Sequence, residues 1–314
     1  MLTHAKRSRL TLARRIFNCR IVSPLWLSTM VFGLMIPPSL TLIVYGVTIN
    51  ESITKLFMAG VLPGLVLASM FMAYVAILSK LSPNYRPDPE PKMTLGERIR
   101  NSRFLIPVIL LIVLVIGSMY GGYATATEAA AFGVIGSFVL AAFQGSLNWT
   151  SFSQSLMGAT RTSAMIALIL AGAAFLSLAM GFTGLPRALA EWIGALELSR
   201  VQLLMALLVF YIIIGCFLDG ISSVVLTIAV VEPMIRQAGI DLIWFGIFIV
   251  VVVEMAQITP PIGFNLFVLQ GMTGVPIGKI AWYSLPFFFL MALGTAILAI
   301  FPEIALWLPR VLYG

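Results

Sequence analysis

A Thr-Pro-Pro sequence sits inside a run that is otherwise compatible with lipid, VVVVEMAQITPPIGFNLFVLQG at residues 250–271. Proline has no N–H and its ring crowds the preceding turn, so two in tandem break a helix at a cost of roughly 3 kcal/mol or more. In hydrocarbon the released carbonyls have no water to bond. They can instead coordinate Na⁺, while the half-helix ends suit an anionic group. Pro260 and Pro261 would free the carbonyls, Thr259 adds a hydroxyl, Gly263 lets backbone approach closely and Asn265 adds an amide. All are hard oxygen donors of the kind an alkali cation takes. A proline kink with only a packing role is the competing reading. Glu254 lies five residues before the break, where it would pair with a cation or orient the break.

A second interrupted stretch is IIIGCFLDGISSVVLTIAVVEP, 212–233. Its apolar arms on either side of Asp219-Gly220-Ile221-Ser222-Ser223 are short for spanning helices, which suggests a re-entrant hairpin with a polar tip at the membrane midplane. An intramembrane Asp is costly and marks a functional candidate, although Asp219 would also serve as an exposed turn between two spans. Ser222 and Ser223 would line the tip or act as small helix-packing residues. In GGYATATEAAAFGV, 121–134, Glu128 would stabilise a helix N-terminus or line a path. Arg161 opens a long uncharged run and would snorkel to the interface or pair with a substrate carboxylate.

The elements that must position these residues are membrane helices. Hydrophobic residues make up 60% of the chain and charged residues only 10%. Uncharged runs cover 21–50, 56–79, 104–127, 129–160, 162–186, 201–218, 255–278 and 280–302, most of them longer than the ~20 residues a spanning helix needs. The fold class is therefore all-α, a polytopic membrane bundle embedded in the lipid bilayer. Barrel strands would alternate apolar and polar, and these runs do not. The +7 net charge does not signal nucleic acid, because Lys and Arg cluster in residues 1–20 and 80–103, beside membrane segments. Two cysteines, Cys19 and Cys216, build no disulfide framework, and the lone His4 leaves no histidine for a metal site or triad. An intramembrane aspartyl protease would need a second membrane Asp facing Asp219, so an enzyme is not expected.

Residues 81–103 form the one polar interruption, with three prolines in 87–91 and a capping-box pattern at Thr94–Glu97. They read as a cytoplasmic connector between a basic tail (1–20) with a first membrane part (21–80) and a longer part (104–314). The two parts repeat each other. IPPSLTLIVYGVT at 36–48 resembles TPPIGFNLFVLQGMT at 259–273, Lys55 answers Lys279, and Pro63 answers Pro286, at an offset of 223 to 225 residues. Interrupted segments at matching positions of two repeats point to a secondary transporter with inverted-repeat ancestry. By the same offset the first repeat should begin about 120 residues ahead of Met1, so the chain is expected to be amino-terminally incomplete.

GGYATATEAAA, GCFLDGISSVVLT, WFGIFIVVVVEMAQITPPIGFNLFV and GLMIPPSLTLIVYG together resemble the large membrane subunit of tripartite ATP-independent periplasmic (TRAP) transporters, the DctM-like permeases. The resemblance runs from about Phe32 to the carboxy terminus. It implies an elevator-type, Na⁺-coupled importer of carboxylates in the bacterial inner membrane, with no cofactor besides the coupling ion. It also implies two partners, a small DctQ-like membrane subunit and a DctP-like periplasmic binding protein. Carried over, the Na⁺ and substrate sites fall at Pro37, Pro38 and Ser39, at the tip around Asp219, and at Thr259, Pro260, Pro261 and Gly263. The family reads Thr-Pro-Thr-Glu where this chain has Thr125-Ala126-Thr127-Glu128, and residues 1–30 do not resemble it. With no counterpart of the family's first hairpin, a transport-inactive remnant or membrane scaffold is the alternative.

The two basic clusters place the amino terminus and the 81–103 connector on one, cytoplasmic side. A reporter fused at Pro89 should be active only if it is a cytoplasmic type. Activity of a periplasmic reporter at Pro89 would reverse the orientation.

Overall fold

The computed structural model describes residues 37–81, 105–184 and 198–313, with isolated positions between these stretches. The basic tail, the segment before Pro37, most of the 81–103 connector and Glu97 of the capping-box pattern lie outside the described residues. The described chain is helical, without strands. Its helices are α1 (Leu40–Ile49), α2 (Ile53–Leu81), α3 (Ile106–Tyr120), α4 (Ala126–Phe143), α5 (Trp149–Thr183), α6 (Arg200–Gly215), α7 (Gly220–Gln237), α8 (Leu242–Gln257), α9 (Phe264–Thr273), α10 (Ile277–Ile300) and α11 (Glu303–Tyr313). Of these, α2, α4, α5, α7 and α10 are long and apolar enough to cross a membrane. The helical membrane bundle read from composition is the fold observed. The chain divides into two compact units, one of Met1–Asp88 with Met180–Gly314, the other Pro89–Ala179.

The first unit is organised around α8. Apart from Glu254 and Gln257 its residues are apolar or glycine on every face, and a helix of that kind belongs in a core. Every residue from Trp244 to Gln257 is buried, beneath α1, α2, α6, α7, α10 and α11. Asp241 starts the helix by accepting from the Trp244 N–H at 2.9 Å, which satisfies one of the amides a helix N-terminus leaves unpaired. Gly246 admits α1, since a Cβ there would fall 2.5 Å from Tyr45 Cε1 and 2.9 Å from Leu56 Cδ2. The Tyr45 hydroxyl then donates to the Leu242 carbonyl at 2.7 Å. On another side, Trp244 Nε1 donates to the Leu298 carbonyl at 3.2 Å, and the Arg200 guanidinium sits 5.4 Å above the Trp244 ring.

Two segments of this unit are built alike. Each has a Pro-Pro pair, then a ten-residue helix (α1 and α9), then a long helix with one internal proline, Pro63 in α2 and Pro286 in α10. Both short helices end on a left-handed residue, Asn50 at φ 58° and Gly274 at φ 69°, residue types that tolerate this backbone. The long helices pack on each other through Phe71 and Phe287, edge to face at 5.1 Å between ring centroids.

In the second unit α3 and α4 form a hairpin, with Leu111 of α3 filling the notch at Gly136 of α4. The uncharged run 129–160 does not form one helix. It divides at Gln144–Asn148, where Gly145 takes φ 67° and Asn148 Oδ1 accepts from the Ser151 N–H at 2.8 Å to open α5. Arg161 therefore lies well inside α5 rather than at its start. A charge interrupts a hydropathy run, but a glycine stop and an Asn cap are what end and begin a helix. The hairpin arm α7 is also longer than its apolar stretch, because the helix continues through Glu232 and Pro233 to Gln237.

The close approach at Gly246 yields a direct check. Gly246→Ala should lower the melting temperature of the detergent-solubilised protein, in line with overpacking penalties of about 1–3 kcal/mol. Gly271→Ala, where nothing lies within 4 Å of the added carbon, should leave it unchanged or raise it. Equal melting temperatures for the two variants would refute the packing of α1 into α8.

Candidate cation and solute site

The break in the buried helix is built by its own sequence. Pro261 has no N–H to give the Gln257 carbonyl, so α8 ends at Gln257. The Thr259 N–H closes the last turn onto the Ala256 carbonyl at 3.0 Å, and the Thr259 hydroxyl donates to the Met255 carbonyl at 2.7 Å. The chain then swings through Gly263, at φ 57°, into α9. Only glycine fits there. A Cβ would meet the Thr259 carbonyl oxygen at 2.8 Å and the Gln257 carbonyl oxygen at 3.0 Å. Two carbonyl oxygens and the Leu266 Cδ1 methyl, 2.9 Å from the added carbon, thus share one small space, and α9 starts with no side-chain cap.

The hairpin turn docks on this break. Cys216, just after α6, accepts from the Gly263 N–H at 3.0 Å through its carbonyl. Its thiol donates to the Pro260 carbonyl at 3.6 Å. Asp219 caps α7, its Oδ2 accepting from the N–H groups of Ile221 at 3.1 Å and Ser222 at 3.2 Å. Its carboxylate is thus engaged with its own helix N-terminus, where negative charge is stabilised. Gly220 lets the hairpin close on α8, since a Cβ would fall 2.7 Å from Gln257 Nε2 and 3.8 Å from Thr41 Oγ1. Gly215, the last residue of α6, does the same against Ala256. Ser222 is half-buried, while Ser223 is fully buried with no hydrogen-bond partner on its hydroxyl.

The first Pro-Pro element contributes through α1. Ser39 is buried and caps this helix, its Oγ accepting from the Leu42 N–H at 3.3 Å. Pro37 is buried and Pro38 exposed. Helix α1 packs on α7 and α8, which carries Thr41 to the hairpin tip. Beneath the break, Glu254 accepts from Gln257 Nε2 and from Asn265 Nδ2, each at 3.5 Å.

The structure therefore gathers α1, the hairpin turn at Asp219 and the break at Thr259–Asn265 in one unit. Thr125, Thr127, Glu128 and Arg161 belong to the other unit. There Thr125 and Glu128 form a reciprocal capping box at the start of α4, with the Thr125 N–H donating to Glu128 Oε2 at 2.8 Å and the Glu128 N–H to Thr125 Oγ1 at 3.3 Å. Thr127 follows in the first turn of α4, and Arg161 is exposed along α5. Reading the sequence overlooked Cys216, Gln257 and Thr41. Gln257 carried a signal, being the second polar residue in an otherwise apolar helix. The roles of Cys216 and Thr41 depend on packing between distant segments.

Comparison with known proteins matches residues 22–304 to the family described as the DctM component of the tripartite ATP-independent periplasmic transporter. The C4-dicarboxylate TRAP transporter large permease protein DctM of Pseudomonas aeruginosa is 30% identical over 279 residues, covering 88% of this chain and 65% of the relative. The isethionate TRAP transporter permease protein DctMQ of Oleidesulfovibrio alaskensis is 32% identical, over 85% of this chain and 42% of its own. The ectoine TRAP transporter large permease protein TeaC of Halomonas elongata is 32% identical, over 87% and 64%. The chain thus spans less than two thirds of the length of each of these three relatives. By the extent of the family match, this chain belongs to the DctM component family of TRAP transporters, a family of transport permeases rather than enzymes.

Proposed function

We propose that this chain acts as the large permease subunit of a Na⁺-coupled secondary importer of C4-dicarboxylates or related organic acids, located in the bacterial inner membrane. The observation that carries the reading is the junction of hairpin turn and helix break, where the carbonyl oxygens of Gln257 and Thr259 converge at Gly263. Oxygens released by a broken helix suit Na⁺, and an uncapped half-helix N-terminus suits an anion. The start of α9 is uncapped in this sense, whereas Ser39 and Asp219 cap α1 and α7. The relatives' names support an anionic or zwitterionic small solute, since they include C4-dicarboxylate, isethionate and ectoine. Of these we favour the carboxylates, the class in the name of the Pseudomonas relative. The partners in this reading are a small DctQ-like membrane subunit and a DctP-like periplasmic binding protein, and the name DctMQ of one relative supports the first.

The test is uptake by proteoliposomes holding the permease with its small subunit, and the binding protein outside. Accumulation of labelled succinate should follow an inward Na⁺ gradient and vanish when K⁺ replaces Na⁺. Uptake that ignores Na⁺ and follows a proton gradient would overturn the coupling. Replacing both Pro260 and Pro261 by Ala lets α8 run on and removes the freed carbonyls. Na⁺-dependent uptake should then fall by on the order of tenfold or more, about 1.4 kcal/mol of cation binding per decade, while membrane insertion persists. Unchanged uptake with unchanged Na⁺ dependence would assign the prolines to packing.

A further inference from the structure

We propose that Glu254 is the buried countercharge of the cation site, a carboxylate that sets Na⁺ affinity from behind the ligands without touching the ion. The inference rests on the Na⁺-coupled reading above and deepens it. Glu254 is the only acid within α8 and is 1% exposed. Its two partners are neutral amides at 3.5 Å, Gln257 Nε2 and Asn265 Nδ2, at the outer limit of hydrogen-bond geometry. No ion pair to Glu254 occurs among the described residues. A carboxylate taken out of water without a cation is strongly disfavoured, and weak neutral donors offset little of that. A Leu or Met would fill this core position without that penalty.

The position of the carboxylate explains what the charge does. Gln257 is the last residue of α8 and Asn265 lies in the first turn of α9, so Glu254 reaches both sides of the break. Each amide presents its NH₂ group to the carboxylate. Gln257 also supplies one of the two backbone carbonyls that converge at Gly263. The negative charge is therefore one residue removed from the oxygens that would hold Na⁺, in a water-poor interior where charges act over longer range than in solvent. A cation in the cradle and an ionised Glu254 stabilise each other, because the burial that disfavours the lone carboxylate also strengthens its attraction to the ion. Gln257 and Asn265 act as positioning residues between them.

The test compares thermal unfolding of the purified permease, wild type and variants, across a Na⁺ titration at constant ionic strength with K⁺ as replacement. Wild type should gain stability saturably with Na⁺ and not with K⁺. Glu254→Gln keeps the shape and removes the charge, and one of the two partner amides flips to accept from the new NH₂ group. Its half-saturating Na⁺ concentration should rise by about tenfold or more, while its melting temperature without Na⁺ equals or exceeds that of wild type. Glu254→Asp keeps the charge and should recover part of the Na⁺ affinity. Glu254→Gln with wild-type Na⁺ affinity would overturn the proposal. So would a Glu254→Gln protein that fails to fold or melts well below wild type without Na⁺, because a purely structural strut behaves that way. Absence of any Na⁺ effect on wild type would instead refute the Na⁺-coupled reading itself, and the countercharge with it.

Discussion

Everything in the larger unit depends on a helix that is buried along its length and then denied its next hydrogen bonds. Helix α8 has no free face as far as Gln257, so its last carbonyls lie in the core even though Pro260, Pro261 and Ile262 beyond them are exposed. Pro260 and Pro261 remove the donors that would continue it, and an unpaired carbonyl in such surroundings costs several kcal/mol. The chain answers with specific partners. Thr259 closes the last turn through its N–H and its hydroxyl, and Cys216 binds Gly263 from the neighbouring hairpin. The oxygens left over, those of Gln257 and Thr259, both lie against Gly263.

That answer requires close contact, which explains the glycines around it. Gly215, Gly220 and Gly246 each stand where a side chain would collide with Ala256, Gln257 or Tyr45. They bring α6, α7 and α1 against α8, so that the hairpin tip, the break and Thr41 share one locus. The break is thereby held from outside itself. A displacement of the hairpin would release the Gly263 N–H and expose the Cys216 thiol, so any ligand that needs the converged carbonyls also favours the docked hairpin.

What could be read in the sequence was whatever rests on local chemistry. The Thr-Pro-Pro break, the Asp-Gly turn and the helix N-terminus at Glu128 each declare themselves within a few residues, because proline, glycine and a carboxylate at a helix start act on their own backbone. The repeated Pro-Pro, short-helix, Pro-containing-helix pattern was visible for the same reason. Long-range packing was not. Nothing local reveals that Gln257 lies on Gly220 or that Cys216 meets Gly263. Asp219 could be placed at a turn, but not with its carboxylate folded back onto Ile221 and Ser222. Arg161 misled, because a charge marks the end of an uncharged run, whereas Gly145 and Asn148 mark the helix ends.

The central claim is that hairpin turn and helix break are held together around a bound cation. Cys216 reports on it directly, being buried and bonded to the break through both its carbonyl and its thiol. In a Cys19→Ser background, the rate of maleimide labelling at Cys216 measures how often the turn lifts off. Na⁺ should slow that rate saturably, and K⁺ at equal ionic strength should not. Identical labelling rates in Na⁺ and K⁺ would contradict the account.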